Sequence, residues 1–333
     1  MVKVTTVDNP ISPDQLGKTL MHEHLQISYS GWENDVLCSP WERREKVAIG
    51  VDKIAELQAA GFKSMVDPCP TDMGRDVALM AEVSARTGFN IICATGMYFQ
   101  GHGASPYWHM MQTLKPDAAR YLADVYIREI EHGIAGTGIK PGIIKLSTGS
   151  PPFSNYDAML VEAAGLAALA TGRPITTHTE GVLGDVQQQR LVAMGVPAAR
   201  IIVGHSCCND DFHYHMKIAG GGSYLGFDRF GVHMFMPDET RVSSLAKVVK
   251  AGAGERVVVS HDTVWCLMGN MVPASLAAEM AAVHQPMRFT KVIMPMLLEA
   301  GVTAAQIDDM LVNNPRRYFE GRSMPPLPSA VDH

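Results

Sequence analysis

Short β-branched runs alternate with longer amphipathic segments along the whole chain. Eight of these runs predict strands: Thr19–His24, Lys63–Asp67, Asn90–Thr95, Gly142–Ser147, Pro174–Thr179, Ile201–Ser206, Ser223–Asp228 and Val257–Asp262. Between them the periodicity predicts helices, among them Val47–Ala60, Arg75–Arg86, Ala118–His132, Asp157–Ala170 and Leu183–Met194. Each of these five ends near a glycine (Gly61, Gly88, Gly133, Gly172, Gly195), the residue a helix C-cap favours. Eight strands separated by helices, with no linker rich in Pro, Gly or Ser, predict an α/β chain closed into a single (β/α)8 TIM barrel. A doubly wound sheet is the rival, but eight units fit a barrel better. Positions 1–333 are read as one domain, with 325–333 a loose tail.

In such a barrel the chemistry sits at the C-terminal ends of the strands. Five of the eight predicted strands end in a potential metal ligand. The first ends in His22-Glu23-His24, the fourth carries Lys145, the fifth ends in His178, the sixth in His205 and the eighth in Asp262. Side chains alternate along a strand, so His22 and His24 should share one face while Glu23 points outward to the helix layer. One strand His-x-His is more often a hydrogen-bonded pair than a metal site. With three further ligands ending strands on the same rim, the metal reading overtakes it. Four buried histidines without a metal would need many matching acceptors in one small space.

Lys145 fits this set poorly as an ammonium, because divalent cations would repel it and burial depresses its pKa. A neutral lysine amine combines with carbon dioxide to give a carbamate, which bridges two cations as a carboxylate does. From the residues alone the favoured reading is the plainer one, a structural lysine paired with a neighbouring acid.

Composition narrows the function classes. Hydrophobic residues make up 47% of the 333 positions and charged residues 19%, enough apolar surface to bury a sizeable core. A net charge of −6 gives no electrostatic reason to expect nucleic acid or an anionic membrane as partner. The most apolar stretch, Met159–Ala170, is too short to span a bilayer, and the N-terminus lacks the apolar run of a secretory signal. The expected location is cytoplasmic. The six cysteines, Cys38, Cys69, Cys93, Cys207, Cys208 and Cys266, show no paired zinc-site spacing and read as free thiols.

The ligand motifs resemble those of the phosphotriesterase-like branch of the amidohydrolase superfamily. They are Gly17-Lys-Thr-Leu-Met-His-Glu-His24, Asp72-Met-Gly-Arg-Asp76, Gly138-Ile-Lys-Pro-Gly-Ile-Ile-Lys145, Thr176-Thr-His-Thr179, Val203-Gly-His-Ser206, Ser260-His-Asp262 and Asn314-Pro-Arg-Arg-Tyr-Phe319. This resemblance implies that His22, His24 and Asp262 hold one divalent cation and His178 and His205 a second. Carboxylated Lys145 and a hydroxide would bridge them, with Asp262 as the catalytic proton acceptor. Mixed nitrogen and oxygen ligands suit Zn²⁺, and Co²⁺, Mn²⁺ and Fe²⁺ accept them too. A homodimer is implied by the family alone.

Asp228-Arg229-Phe230-Gly231 is similar to the Asp-Arg-Tyr-Gly of the family's lactonases, and Tyr98 matches a lactonase tyrosine that leans over the metals. Arg229 could equally be half of a rim salt bridge. Met97, Phe99, Met234, Phe235, Met236, Trp265 and Met268 are candidates for lining an apolar substrate pocket, or for covering the barrel mouth. No Gly-rich anion cradle lies on the catalytic face, which argues against phosphorylated metabolites.

One departure concerns Cys208, which stands where family members carry a proton-relaying aspartate. Asp210 or Asp211 would have to compensate, or the proton would go straight to a leaving alkoxide. The leading expectation is a metal-dependent hydrolase acting on a lactone or related ester with an apolar substituent, with weak phosphotriesterase activity. The rivals are a dedicated phosphotriester, carbamate or aryl-ester hydrolase, and an inactive barrel that serves as a binding protein.

Overall fold

The computed structural model describes residues 2–283 and 285–327. Its strands, in chain order, are β1 (Lys18–Leu20), β2 (His24–Ile27), β3 (Phe62–Asp67), β4 (Asn90–Gly96), β5 (Ile143–Ser147), β6 (Ile175–His178), β7 (Ile201–Val203), β8 (Tyr224–Phe227), β9 (Val257–Val259) and β10 (Val264–Leu267). Strands β1 and β3 to β9 form one eight-stranded parallel sheet in sequence order. The circuit closes between its last and first strands. Met21 N donates to Val259 O at 3.3 Å and Asp262 N to His22 O at 3.0 Å. Helices α1 (Arg43–Ala59), α2 (Val77–Thr87), α3 (Pro106–Leu114), α4 (Ala118–His132), α5 (Asn155–Thr171), α6 (Gly184–Ala193), α7 (Phe212–Gly220) and α8 (Asp238–Val248) occupy the connections. This is the (β/α)8 barrel that the alternation of elements predicts.

Alternation along the strands divides the core in two. Met65, Ile91, Cys93, Ile144, Leu146, Ile201, Val203, Leu225, Phe227, Val257 and Val259 belong to the larger cluster, between sheet and helices. Their strand neighbours Val66, Ile92, Ala94, Ile143, Ile202, Tyr224 and Val258 form a second cluster inside the barrel, joined by Leu16, Tyr318 and Phe319. Burying each such aliphatic side chain stabilises the fold by about 1.5–3 kcal/mol. Lys145 stands two residues beyond Ile143, on the interior side of β5, so the apolar plug forms the floor beneath the polar groups.

The structure corrects the expected first strand. Thr19–His24 is not continuous: β1 ends at Leu20, and β2 begins at His24 in a separate parallel pair with β10. The chain bends between them because it must bond two neighbours at once, Glu23 N to Val66 O on β3 and Met21 N to Val259 O on β9. Glu23 is fully buried, as a residue packed outside the barrel would be. It accepts from Ser260 Oγ at 2.7 Å, from His261 N at 2.9 Å and from Thr263 Oγ1. It therefore clamps the segment that carries Asp262.

Several strands are also shorter than expected, because His205 (φ 56°) and Asp262 (φ 55°) turn into the left-handed region beyond β7 and β9. Non-glycine residues there cost of order 1 kcal/mol or more, and such positions cluster at functional sites. Among the described residues no helix is long and apolar enough to cross a membrane. Positions 325–327 have no regular structure, and 328–333 of the expected tail lie outside the described residues.

Candidate metal centre

A cleft of about 300 Å³ opens at the C-terminal ends of the strands, and all six expected ligands line it: His22, His24, Lys145, His178, His205 and Asp262. The cleft is assembled by close backbone approach. Gly204 precedes His205, and a Cβ there would fall 1.9 Å from Thr177 O on the neighbouring strand β6. Gly96 is equally confined, with Lys145 O 2.0 Å from the position a Cβ would take.

Asp262 is the hub. Its Oδ1 lies 3.4 Å from His22 Nε2 and 3.2 Å from His24 Nε2, and its Oδ2 lies 3.8 Å from His205 Nε2. The opposite ring nitrogens of these histidines face buried carboxylates. His22 Nδ1 is 3.2 Å from Asp228 Oδ2, His205 Nδ1 is 2.9 Å from Asp228 Oδ1, and His24 Nδ1 is 3.4 Å from Asp67 Oδ1. Carboxylates on the far side of metal-ligating imidazoles fix ring orientation and raise ligand basicity. Neither carboxylate is among the candidate ligands in the sequence, where Asp228 only opens the Asp-Arg-Phe-Gly motif and Asp67 only ends a strand. Their signal was there, since each is an acid at the end of a barrel strand.

His178 is turned the other way, with Nε2 2.7 Å from Glu180 Oε1. Tyr98 Oη lies 3.4 Å from both of its ring nitrogens, and Phe99 stacks on it at 5.2 Å between centroids.

Electrostatics favour a cation. Burial lowers the pKa of His22, lowers His178 to about 3 and holds His205 well down, which favours the unprotonated ring that a cation needs. Burial also opposes a charged His24, but hydrogen bonds to Asp262 and Asp67 outweigh it and raise its pKa. Burial pushes Asp262 up, yet His22, His205 and Arg229 together hold it ionised. His205 Nε2 is buried without a hydrogen-bond partner, a donor atom aimed at the cleft with nothing to bind.

Lys145 is 2% exposed and makes no ion pair among the described residues, so the expected alternative of a lysine salted to an acid is not what forms. Its Nζ lies 3.2 Å from His22 Nε2 and 3.5 Å from Thr177 O. Burial lowers its pKa to about 8, against the pull of Asp262 and Asp228. A buried amine with ready access to its neutral form suits a group that is to react with carbon dioxide. The donor set as a whole fits a pair of divalent cations.

The flanking residues divide. Arg229 Nε donates to Asp262 Oδ2 at 2.8 Å, and its guanidinium lies 4.5 Å above the Phe235 ring. Arg229 thus forms the salt bridge of its alternative reading and also lines the cleft. Tyr98, Met234 and Phe235 line the cleft, together with Tyr29, Met73, His102, Glu180 and Met280, which the sequence did not point out.

Met97, Phe99, Met236, Trp265 and Met268 do not line it. Met97 precedes Tyr98 and faces away into the core, 2% exposed, as alternate residues must. Met268 is buried to the same degree. Met236 is half-buried beyond the cleft wall. Phe99 lines an adjoining cavity of about 410 Å³ with His102 and Glu180. Trp265 lines a largely apolar cavity of about 380 Å³, which shares Val264 and Met280 with the cleft.

Cys208 lies 3.8 Å from an Arg229 Nη1. A hydrogen bond from Cys207, aided by Arg229 and Arg241, lowers its pKa. Asp211 caps α7 by accepting from His213 N at 2.8 Å, Asp210 is exposed, and neither lines the cleft.

Comparison with known proteins agrees with this geometry. The phosphotriesterase family model matches residues 2–319. A phosphotriesterase homology protein of Mycobacterium tuberculosis is 34% identical over 322 residues, covering 96% of this chain and 98% of the relative. The solved organophosphorus hydrolase of Deinococcus radiodurans superimposes with a TM-score of 0.91 at 35% identity, covering 96% and 97% of the two chains. A mutant of a phosphotriesterase-like lactonase from the same organism superimposes at 0.90 with 34% identity, covering 95% and 99%. On its motifs, its barrel and these matches, the chain belongs to the phosphotriesterase family.

Proposed function

We propose that the chain is a metal-dependent hydrolase that opens a lactone, or cleaves a related carboxylic ester, bearing an apolar substituent. The supporting observation is the convergence of four histidines backed by carboxylates, Asp262 and an acid-free buried lysine on one cleft walled by Tyr98 and Arg229. His22, His24 and Asp262 would hold one divalent cation and His178 and His205 the other, with a carbamate on Lys145 shared between them. Zn²⁺ suits this set best, with Co²⁺, Mn²⁺ or Fe²⁺ as substitutes. When bound, the two cations supply hydroxide near neutral pH and polarise the ester carbonyl.

The protein's own groups then orient and move protons. Asp262, held ionised, accepts a proton and returns it to the leaving alkoxide. With Asp210 and Asp211 away from the cleft and a thiol at 208, that direct return is the shorter route. It suits a lactone, whose leaving alkoxide stays tethered in the product. Arg229 fixes the Asp262 carboxylate. Burial keeps Tyr98 protonated, so its hydroxyl is a hydrogen-bond donor beside His178. The apolar cavity behind Val264 and Met280 suits an acyl chain.

The deciding measurement compares kcat/KM on an acyl lactone and on a neutral phosphotriester with the metal-loaded protein. A lactone value no higher than the triester's would favour a dedicated phosphotriester, carbamate or aryl-ester hydrolase. Fewer than about one metal per chain after gentle purification would instead favour a binding protein. The family reading also implies a homodimer, which sedimentation would register at twice the 36.1 kDa chain mass.

A further inference from the structure

We infer that Glu180 is a positioning residue that sets the orientation of His178, and so governs one of the two metal positions separately from the other. The inference rests on the metal-centre reading above. Three of the four histidines use their rings alike, with Nδ1 against a buried carboxylate and Nε2 toward Asp262. His178 is the one of the four whose orienting carboxylate meets Nε2, with Glu180 Oε1 at 2.7 Å, so Nδ1, approached by Tyr98 Oη at 3.4 Å, is the nitrogen left to a cation. The contact is local. Glu180 follows His178 by two residues in the segment leaving β6, so the strand end itself delivers the carboxylate to its ligand.

The orienting groups also differ in exposure. The side chains of Asp228 and Asp67 are 2% and 0% exposed, whereas that of Glu180 is 21% exposed and lines both the cleft and the adjoining cavity beside Phe99. A ligand held by a buried carboxylate stays oriented when its metal leaves. A ligand held by a solvent-reachable one is freer to swing. The His178 position is therefore the one that exchanges its metal first, and Glu180 controls how fast.

The test uses the zinc-loaded protein, challenged with a chromophoric chelator, for wild type, Glu180→Gln and Glu180→Ala. Wild type should release zinc in two phases. Glu180→Ala should speed only the faster phase, with affinity at that position falling by about 10–100-fold. Glu180→Gln, which keeps an acceptor for Nε2–H, should fall between. ¹⁵N spectra of the histidine rings should show one metal-bound imidazole with Nε2 protonated in wild type, and loss of that single signature in Glu180→Ala. Unchanged release in both variants, or four imidazoles all protonated on Nδ1, would overturn the role of Glu180 and leave the metal centre standing. Wild-type protein that takes up no zinc would overturn the metal centre itself. Circular dichroism of each variant separates these outcomes from misfolding.

Discussion

Arg229 Nε donates to Asp262 Oδ2 at 2.8 Å, joining a buried guanidinium to the carboxylate on which three histidines converge. The pair binds two functions together. It keeps the Asp262 carboxylate ionised and aimed, and it places the guanidinium over Phe235 on the cleft wall. Removing Arg229 should therefore disturb substrate choice before it disturbs the metals. Arg229→Ala is expected to change the ratio of kcat/KM between short- and long-chain esters by about tenfold, ~1.4 kcal/mol, with metal content retained. An unaltered profile across several esters would leave Arg229 a structural residue.

Asp262→Asn should cost more. An amide cannot accept the proton that the carboxylate takes, so kcat should fall by roughly 10²–10⁴ while most of the metal stays bound. Steady-state kinetics beside metal analysis read both quantities, and an unchanged kcat removes Asp262 from the proton path.

Lys145→Ala should abolish turnover, because it removes the amine that would carry the carbamate shared between the two cations. Acetate or propionate should restore part of it. The wild-type chemistry also carries a pH signature. The Lys145 pKa is lowered from its usual 10.5 to about 8, so the amine becomes neutral as pH rises through that value. Reconstitution of metal-stripped protein with zinc, at a dissolved CO2 concentration held constant, should accordingly speed up from pH 6 toward pH 8. A rate flat over that range would contradict carbamate formation.

Asp228 holds both His22 and His205. Asp228→Asn should weaken metal affinity by about 10–100-fold through ligand disorder, seen in chelator competition. Burial raises the Asp228 pKa, but His205 and His22 outweigh it and hold the group ionised far into acid. A depressed folded pKa stabilises the protein above the unfolded carboxylate pKa of about 4, and that contribution is lost as pH falls below it. Metal-free wild type should thus lose Tm toward acid more steeply than the Asn variant.

Gly204→Ala tests the packing that brings β6 and β7 together. A methyl group 1.9 Å from Thr177 O cannot be accommodated without backbone movement. The expected cost is about 1–3 kcal/mol of stability, measured by denaturant unfolding, with loss of metal from the His205 position.

The alternation of apolar runs with amphipathic segments was enough, by itself, to determine the barrel, because eight strand–helix units bury their apolar faces in few other ways. It also singled out most of the candidate ligands. His22, His24, His178, His205 and Asp262 end their strands as polar residues where apolar ones are the rule, and strand ends meet at one rim. Lys145 needed a family resemblance to be read as a ligand. Only the tertiary structure then removed the alternative, since an ion pair depends on neighbours distant in sequence, and no acid among the described residues pairs with it. The same limit hid Asp67, Asp228 and Glu180, whose partners are defined by ring orientation rather than by spacing. It misplaced Met97, Met268 and Trp265, because which side of a loop faces the cleft is decided by turns that hydrophobicity does not encode. The bend at Met21–Glu23 likewise belongs to the closed barrel. It forms where the first strand must bond to its neighbours on both sides, a demand that arises only once the sheet has met itself.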